Sequence, residues 1–210
     1  MGGAGEAGVS SFVLGLTGPI GAGKSTVAAL LSEKGAVVLD ADGLVRAEQL
    51  PGTPGHAAIV AAFGPGIVGR DGAIDRVKLA AIAFADPSAL ARLEAILHPL
   101  VRARVLAVHA ALPDRAVLVV EAIKLLESPL RLLCRAVWVV TASRAVLLER
   151  LARERGMAAG EAAARLAAQA DDATFRAQAD LVIENDGDRA ALARAVDRAW
   201  AALASSSPIR

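Results

Sequence analysis

FVLGLTGPIGAGKSTVA, residues 12–28, combines an apolar run, a glycine-rich turn and the start of a helical pattern. Gly18, four further residues, then Gly23, Lys24 and Ser25 fit the pattern G-x-x-x-x-G-K-[ST], in the strand-to-helix context that gives the pattern its meaning. In such a loop the backbone N–H groups surround phosphate, the lysine reaches the β- and γ-phosphates, and the serine hydroxyl binds Mg²⁺. The stretch therefore predicts a site for a nucleoside triphosphate with magnesium.

Four more apolar runs accompany this first strand. They are continuous rather than alternating, which is typical of strands buried on both faces. The five predicted strands are residues 12–17, 36–40, 116–121, 136–141 and 179–185. Helical patterns separate most of them, so we predict an α/β fold with a five-stranded parallel sheet flanked by helices.

Composition excludes several classes of protein. The chain has 210 residues, a formal net charge of +1 and no apolar run of the roughly 18 residues that a membrane span needs. Such a charge gives no whole-molecule attraction for nucleic acid or membrane. Residues 1–11 lack the pattern of a signal peptide and are expected to form a flexible tail, as is ASSSPIR at the other end. We expect a cytoplasmic protein that binds neither nucleic acid nor membrane.

The single cysteine, Cys134, excludes an internal disulfide and a thiolate-rich metal site. It lies beside the fourth predicted strand, where we expect it to be a small buried hydrophobic residue.

The middle of the chain interrupts the strand–helix rhythm. Between Asp42 and Pro113 no convincing strand occurs, so we predict a helical insertion of residues 43–114. Asp86 and Pro87 form a helix start, and Pro99 should break or kink the helix that follows. A break would place a fresh helix N-terminus, which favours anions, next to His98. A kinked packing helix with a solvent-facing His98 is the alternative.

A second helical segment, residues 143–175, carries several arginines. Arg150 and Arg153 share a helix face, Arg155 lies to one side, and Gly156 is the expected C-cap. Such a run is usually a solvated surface, but beside a phosphate loop it indicates a lid. The nucleotide-binding core is then predicted to comprise residues 12–42, 115–142 and 176–204.

Acidic residues end two of the predicted strands. Asp40 and Asp42 are alternate residues that should point the same way at the carboxyl edge of the sheet, where open α/β sheets bind ligands. Glu121 closes the third strand in the manner of a carboxylate that holds Mg²⁺ through water. Each acid could instead be a solvated strand end or a helix N-cap.

Two functional classes fit a phosphate loop: a kinase of a small acceptor, and a switch or motor ATPase that couples hydrolysis to a partner. A short chain, a helical insertion after the second strand and an arginine lid favour the kinase, which needs an acceptor pocket and exclusion of water. The sequence also lacks the Asn/Thr-Lys-x-Asp base-reading element of a GTPase.

Five motifs together carry a family resemblance. LTGPIGAGKSTVA, LDADGLVR, DGAIDRVKLAAIAF, LEAILHPLVR and ADLVIENDG occur in this order, and the likeness around them runs from about residue 12 to residue 200. In these the chain resembles the dephospho-CoA kinases, which have the P-loop kinase fold. The resemblance implies ATP-dependent phosphorylation of the ribose 3′-hydroxyl of dephospho-CoA, with Mg²⁺. Another small acceptor, such as a nucleoside or nucleotide, is the alternative, and we expect a monomer or weak homo-oligomer.

The resemblance also implies roles for individual residues. The catalytic residues would be Lys24, the lid arginines Arg150 and Arg155, and Asp42, which takes the position of the base for the acceptor hydroxyl. Ser25 and Glu121 would hold the metal. The implied ATP-binding residues are Gly18, Pro19, Ile20, Gly21, Ala22, Gly23, Lys24, Ser25, Thr26 and Asn185. The resemblance implies Asp42, Arg76 and His98 as acceptor-binding residues. Glu121 and Lys124, at the end of the third strand and just after it, are further acceptor-binding candidates that come from this chain's own residues.

One segment departs from the family pattern. Where the family has Pro-Leu-Leu-Phe-Glu after the third strand, this chain reads EAIKLLES, with Ile123 and Lys124 in place of proline and leucine and Glu127 retained. A buried cation without a partner costs free energy. We therefore expect Lys124 to pair with an acid such as Glu121 or Asp42, or to meet a substrate phosphate.

Overall fold

The computed structural model describes residues 11–205 of the chain. Of the predicted tails, 1–11 and 204–210, residues 1–10 and 206–210 lie outside the described residues, so the expectations for these stay predictions. Residues 204 and 205 are the end of the last helix, so assigning them to the tail is wrong. Within residues 11–205 no helix is both long and apolar enough to cross a bilayer.

A five-stranded sheet forms the centre of the larger of two compact units into which the chain divides. The five predicted strands are confirmed to within two residues at each end. The strands are β1 (Phe12–Thr17), β2 (Val37–Asp40), β3 (Val117–Glu121), β4 (Ala136–Thr141) and β5 (Leu181–Glu184). Their order across the sheet is β2-β3-β1-β4-β5, and β1 pairs in parallel with β3 and β4 as β4 does with β5. Residues on both faces of β3 and β4 are fully buried, which explains why the runs do not alternate.

Nine α-helices occur within the described chain, eight of them between strands and one after the last strand. They are α1 (Lys24–Glu33), α2 (Ala41–Ala47), α3 (Pro54–Phe63), α4 (Arg76–Ala85), α5 (Pro87–Ala110), α6 (Arg144–Arg155), α7 (Ala159–Ala167), α8 (Asp172–Ala177) and α9 (Arg189–Ser205). The described chain divides into two compact units, one of residues 40–110 and the other of residues 11–39 and 111–205. The predicted division into core, insertion 43–114 and lid 143–175 stays a prediction.

The unit of residues 40–110 is helical, with its own hydrophobic core. That core contains Ile59, Ile67, Ile74, Leu79 and Leu97. The expectation that this region has no convincing strand is confirmed, because its only β-pairing is an isolated antiparallel bridge between Val68 and Ile74. Helix α5 packs against α2, α3 and α4, so it is the central helix of the unit.

Helix α5 begins as predicted but does not break where predicted. Asp86 caps it by accepting a hydrogen bond from the Ser88 N–H at 2.8 Å. The helix then continues through Pro99 to residue 110, so a break, and with it the fresh N-terminus next to His98, is wrong. The alternative, a kinked packing helix, stays a prediction. Leu97 and Val101, on either side of the proline, are both buried. Packing of both halves therefore outweighs the one backbone hydrogen bond that proline removes.

Cys134 is the predicted small buried residue. It is 7% exposed and its thiol donates a weak hydrogen bond to the Leu130 carbonyl at 3.4 Å. Burial raises the pKa of the Cys134 thiol to about 11, so it stays protonated at neutral pH.

Candidate active site

The phosphate loop lies between β1 and α1 and contains two glycines that the fold requires for space. Gly18 has φ of 143°, and a Cβ placed on it would collide with the backbone oxygen of Val140. Gly23 has φ of 96°, caps α1, and would bring a Cβ into the side-chain amide of Asn185. Only a residue without Cβ fits these two positions, so the loop sequence follows from the packing around it.

Lys24 bends back over the loop that precedes it. Its side chain is 8% exposed, and Nζ donates to the carbonyl oxygens of Gly18 at 2.9 Å and Pro19 at 3.1 Å. Because these acceptors hold the ammonium at the loop, its charge is positioned before any nucleotide arrives. The neighbouring N–H groups of Gly21 and Gly23 donate to no acceptor among residues 11–205 and can bind an anion.

Asn185 and Arg150 converge on the same loop. Asn185 is 6% exposed, and its Nδ2 donates to the Ala22 carbonyl at 2.8 Å. Arg150 Nη2 donates to the Asn185 carbonyl at 2.8 Å. The other terminal nitrogen, Nη1, is buried and has no acceptor among the described residues. The structure thus brings together Arg150, Asn185 and the loop, and leaves one guanidinium donor available for a ligand.

Arg155, the other predicted lid arginine, is placed differently. It is the last residue of α6 and is exposed, and its side chain makes no hydrogen bond or ion pair within residues 11–205. Gly156 then ends the helix with φ of 62°, as predicted. The role of Arg155 in the reaction stays a prediction.

The two predicted metal ligands lie on elements that adjoin the loop. Glu121 ends β3 and is level with Leu16 of β1, two residues before Gly18. Ser25 is the second residue of α1 and is exposed. No cluster of three or more metal-binding side chains occurs in the part of the chain that the structure describes. One carboxylate and one hydroxyl next to a phosphate loop suit a Mg²⁺ ion whose other ligands are water and phosphate oxygens.

The turn after β3 does not bury Lys124. The Thr17 hydroxyl holds this turn by donating to the Ile123 carbonyl at 3.2 Å. The Lys124 side chain is 63% exposed, and its ion pair is with Glu127 at 4.0 Å. Lys124 is therefore not a buried cation, because the short 3₁₀ turn leaves its side chain in solvent. It does pair with an acid, as expected, but the acid is Glu127 and not one of the two named examples, Glu121 and Asp42. A shallow recess here is lined by Ile123, Lys124, Leu126, Glu127, Gln169 and Phe175.

Asp40 and Asp42, which belong to the unit of residues 40–110, differ from the sequence prediction. Asp40 ends β2 and caps α2, accepting from the Gly43 N–H at 2.8 Å and from Arg46 Nη2 at 2.8 Å. Asp42 is already in the first turn of α2. The strand alternation that was expected to align the two side chains is wrong, since the strand ends before Asp42. Asp42 is half-buried.

The other two acceptor candidates of this unit lie on separate helices. Arg76 is the first residue of α4 and is exposed, directly after Asp75, which caps that helix. His98 is half-buried near the middle of α5. Because α5 packs against both α2 and α4, the three candidates belong to helices that share one core. Their role in binding an acceptor stays a prediction.

Two features of the site carry no signal in the sequence. Gln169, in the connection between α7 and α8, accepts a hydrogen bond through Oε1 from the Ile20 N–H at 3.0 Å. Asp172 of α8 accepts from the Thr141 hydroxyl at 2.7 Å and from Arg176 Nε at 2.6 Å. Hydrogen bonds from Arg176 and then Thr141 lower the pKa of Asp172. The Ile20–Gln169 and Thr141–Asp172 contacts join residues far apart in the chain, which local patterns do not detect.

Comparison with known proteins agrees with this geometry. The model of the family described as dephospho-CoA kinase matches residues 12–191. The chain is 48% identical over 190 residues to the dephospho-CoA kinase of Streptomyces avermitilis, covering 90% of this chain and 93% of that protein. It is also similar to the solved structure of TT1252 from Thermus thermophilus, with a TM-score of 0.81, 33% identity and coverage of 94% and 99%.

A second solved structure supports the fold alone. The dephospho-CoA kinase from Campylobacter jejuni is 23% identical, with a TM-score of 0.66 and coverage of 93% of this chain and 98% of that one. The described sheet, loop and flanking helices are therefore those of a P-loop kinase fold.

Proposed function

This chain belongs to the dephospho-CoA kinase family, and from that premise we propose that it transfers the γ-phosphoryl group of ATP to the ribose 3′-hydroxyl of dephospho-CoA. The products would be ADP and coenzyme A. The observation that carries the proposal is the phosphate loop with Lys24 already held over it, in a chain matched to the family over residues 12–191. We further propose that the enzyme is cytoplasmic and works as a monomer or weak homo-oligomer.

The loop would bind the triphosphate. Its available N–H groups, at Gly21 and Gly23 for example, suit the non-bridging phosphate oxygens, and Lys24 suits the β- and γ-phosphates. Arg150 has a buried donor, Nη1, with no protein acceptor in residues 11–205. An anionic ligand that accepts from this nitrogen would satisfy it, which supports the role of a charge-neutralising arginine. Asn185, in contact with Ala22, would support the nucleoside end of the site.

A magnesium ion fits the oxygen donors beside the loop. Ser25 and Glu121 would hold it, Glu121 through water, with phosphate oxygens completing its coordination. When bound, it neutralises charge that develops on the β- and γ-phosphates. The residues of this chain keep those phosphates in line with the acceptor, and positioning supplies most of the rate in phosphoryl transfer.

The acceptor would be bound by the residues predicted from the sequence. The 3′-hydroxyl oxygen attacks the γ-phosphorus, the bond from that phosphorus to the bridging β-phosphate oxygen breaks, and ADP leaves. Asp42 would take or orient the proton of the hydroxyl. Arg76, His98 and Lys124 would contact the acceptor, and the exposure of Arg76 and Lys124 leaves both side chains accessible to it.

Product analysis tests this function. The protein is incubated with ATP, Mg²⁺ and dephospho-CoA, and the products are separated by chromatography and identified by mass. We expect ADP and coenzyme A in equal amounts, and neither from the Lys24→Ala variant. ADP without coenzyme A, or a phosphorylated product with the new group elsewhere than the 3′-hydroxyl, would contradict the proposal.

A further inference from the structure

Gln169 links the α7–α8 connection to the phosphate loop. Its Oε1 accepts a hydrogen bond from the Ile20 N–H at 3.0 Å, across 149 positions of sequence. Pro19 has no N–H, so Ile20 carries the first backbone donor after Gly18 in the loop. Gln169 therefore holds the loop near its start, next to the Gly18 and Pro19 carbonyls that accept from Lys24 Nζ.

The position of Gln169 is fixed by the packing on either side of it. Leu166 of α7 is 8% exposed and Phe175 of α8 is 3% exposed, so both ends of the connection are anchored in the interior. The Gln169 N–H donates to the Leu166 carbonyl at 3.2 Å, which continues α7 by a turn. The side chain itself is half-buried. Contact with the loop is thus built into the fold of this segment.

The hydrogen bond also assigns the two ends of the amide. Because a backbone N–H must donate, the group that faces Ile20 is the side-chain oxygen. The amide nitrogen, Nε2, is left with two N–H donors and no acceptor within residues 11–205. A donor pair next to a phosphate loop suits a phosphate oxygen, and a hydrogen bond to a charged acceptor is stronger than one between neutral groups.

We propose that Gln169 is a further nucleotide-binding residue, whose Oε1 positions the loop at Ile20 while its Nε2 donates to a phosphate oxygen of the bound nucleotide. The proposal rests on the proposed function only in taking a nucleoside phosphate as the ligand. It does not depend on which acceptor receives the phosphoryl group.

Two variants separate the two ends of the amide. Gln169→Glu keeps an oxygen that accepts from the Ile20 N–H, but it replaces the donor with negative charge. Gln169→Ala removes both ends without adding charge. If Nε2 contacts phosphate, the Kd for ATP rises about tenfold or more in Gln169→Glu, and by less in Gln169→Ala. A residue that only holds the loop gives the reverse order, with Gln169→Glu close to the unchanged protein.

The measurement is calorimetric titration of the full chain with ATP and Mg²⁺ in the absence of any acceptor. Gln178→Glu is the matched control, because Gln178 is exposed at the end of α8. The substitution makes the same charge change at a residue that does not contact the loop. Its Kd should be within about twofold of the unchanged protein. An effect of Gln178→Glu equal to that of Gln169→Glu would assign the loss to general charge and overturn the proposal.

Thermal unfolding checks that each variant is folded. If Gln169→Glu lacks a native transition, the side-chain NH₂ signals of Gln169 are followed by NMR in the unchanged protein instead. A shift of these signals with ATP that adenosine does not cause supports the proposal, and the same shift with both ligands, or no shift, overturns it. Failure of the unchanged protein to phosphorylate dephospho-CoA would contradict the proposed function while leaving this titration interpretable.

Discussion

The phosphate loop and the unit of residues 40–110 hold their predicted functional side chains in different ways. Lys24 and Asn185 are 8% and 6% exposed, and each is hydrogen-bonded to the loop backbone. Arg76 is exposed and His98 and Asp42 are half-buried, on three separate helices. The comparison indicates that the fold itself organises the phosphate loop, while it leaves the predicted acceptor-binding side chains of residues 40–110 at least partly accessible.

The largest expected effect comes from removing the ammonium group that the loop holds. Lys24→Ala should lower kcat by about 10³-fold, because the charge that neutralises the transferred phosphoryl group is lost. Steady-state kinetics with ATP and dephospho-CoA measure this. Lys34→Ala is the matched control: it removes a lysine at the far end of α1 that pairs with Asp197. The kcat of this variant should be normal. A Lys24→Ala variant with near-normal turnover would contradict the phosphate-loop assignment.

On the acceptor side, Asp42→Asn should lower kcat by about 10²-fold while the KM for ATP stays unchanged, because a base is lost but the loop is intact. Asp40→Asn is the control two residues away, since asparagine still caps α2. It should leave kcat unchanged and cost little stability. If Asp42→Asn instead weakened ATP binding alone, Asp42 would belong to the metal site, and the division between the two regions would fail.

A glycine pair tests whether packing, rather than backbone conformation alone, organises the loop. Gly23→Ala forces a Cβ towards Asn185 and should raise the Kd for ATP about tenfold or more. Gly35→Ala has a similar φ of 94° but nothing within 4 Å of the new Cβ. It should therefore destabilise the protein by about 1 kcal/mol without changing ATP binding. Equal ATP affinities in the two variants, measured by titration, would contradict a packing requirement at Gly23.

The smallest expected effect is at the turn after β3. Lys124→Leu removes an exposed charge that is paired weakly with Glu127, so we expect only an increase of about threefold to tenfold in the KM for the acceptor. The KM for ATP should not change. Lys78→Leu, which removes an exposed lysine from α4, is the matched control. An unchanged acceptor KM in Lys124→Leu would show that this departure from the family pattern is neutral.

The sequence predicts the parts of the molecule whose signals are local. The five strands, the loop and the start of α5 at Pro87 are all confirmed, because continuous apolar runs, glycine spacing and an Asp-Pro cap act within a few residues. Helix α5 at Pro99 is different, since burial of Leu97 and Val101 overrides the local effect of proline. Tertiary packing cannot be read from the proline alone.

The site residues, like the fold, are predictable only where their signal is local or comes from the family resemblance. Motif spacing leads to Lys24 and the loop, and the family resemblance leads to Arg150 and Asn185, which the structure brings together beside it. Strand alternation fails for Asp42 because β2 ends at Asp40 and a helix begins at once. Gln169 is missed altogether, because nothing in the sequence near position 169 relates it to Ile20.

The acceptor panel is the most direct test of the central claim. Initial rates of ADP formation are measured at fixed ATP and Mg²⁺ with dephospho-CoA, adenosine, AMP and no acceptor. The proposed function predicts a kcat/KM for dephospho-CoA at least about 10²-fold above that for either other acceptor, and almost no ADP without one. An equal or higher kcat/KM for adenosine or AMP, or ADP formation that does not depend on an acceptor, would contradict it.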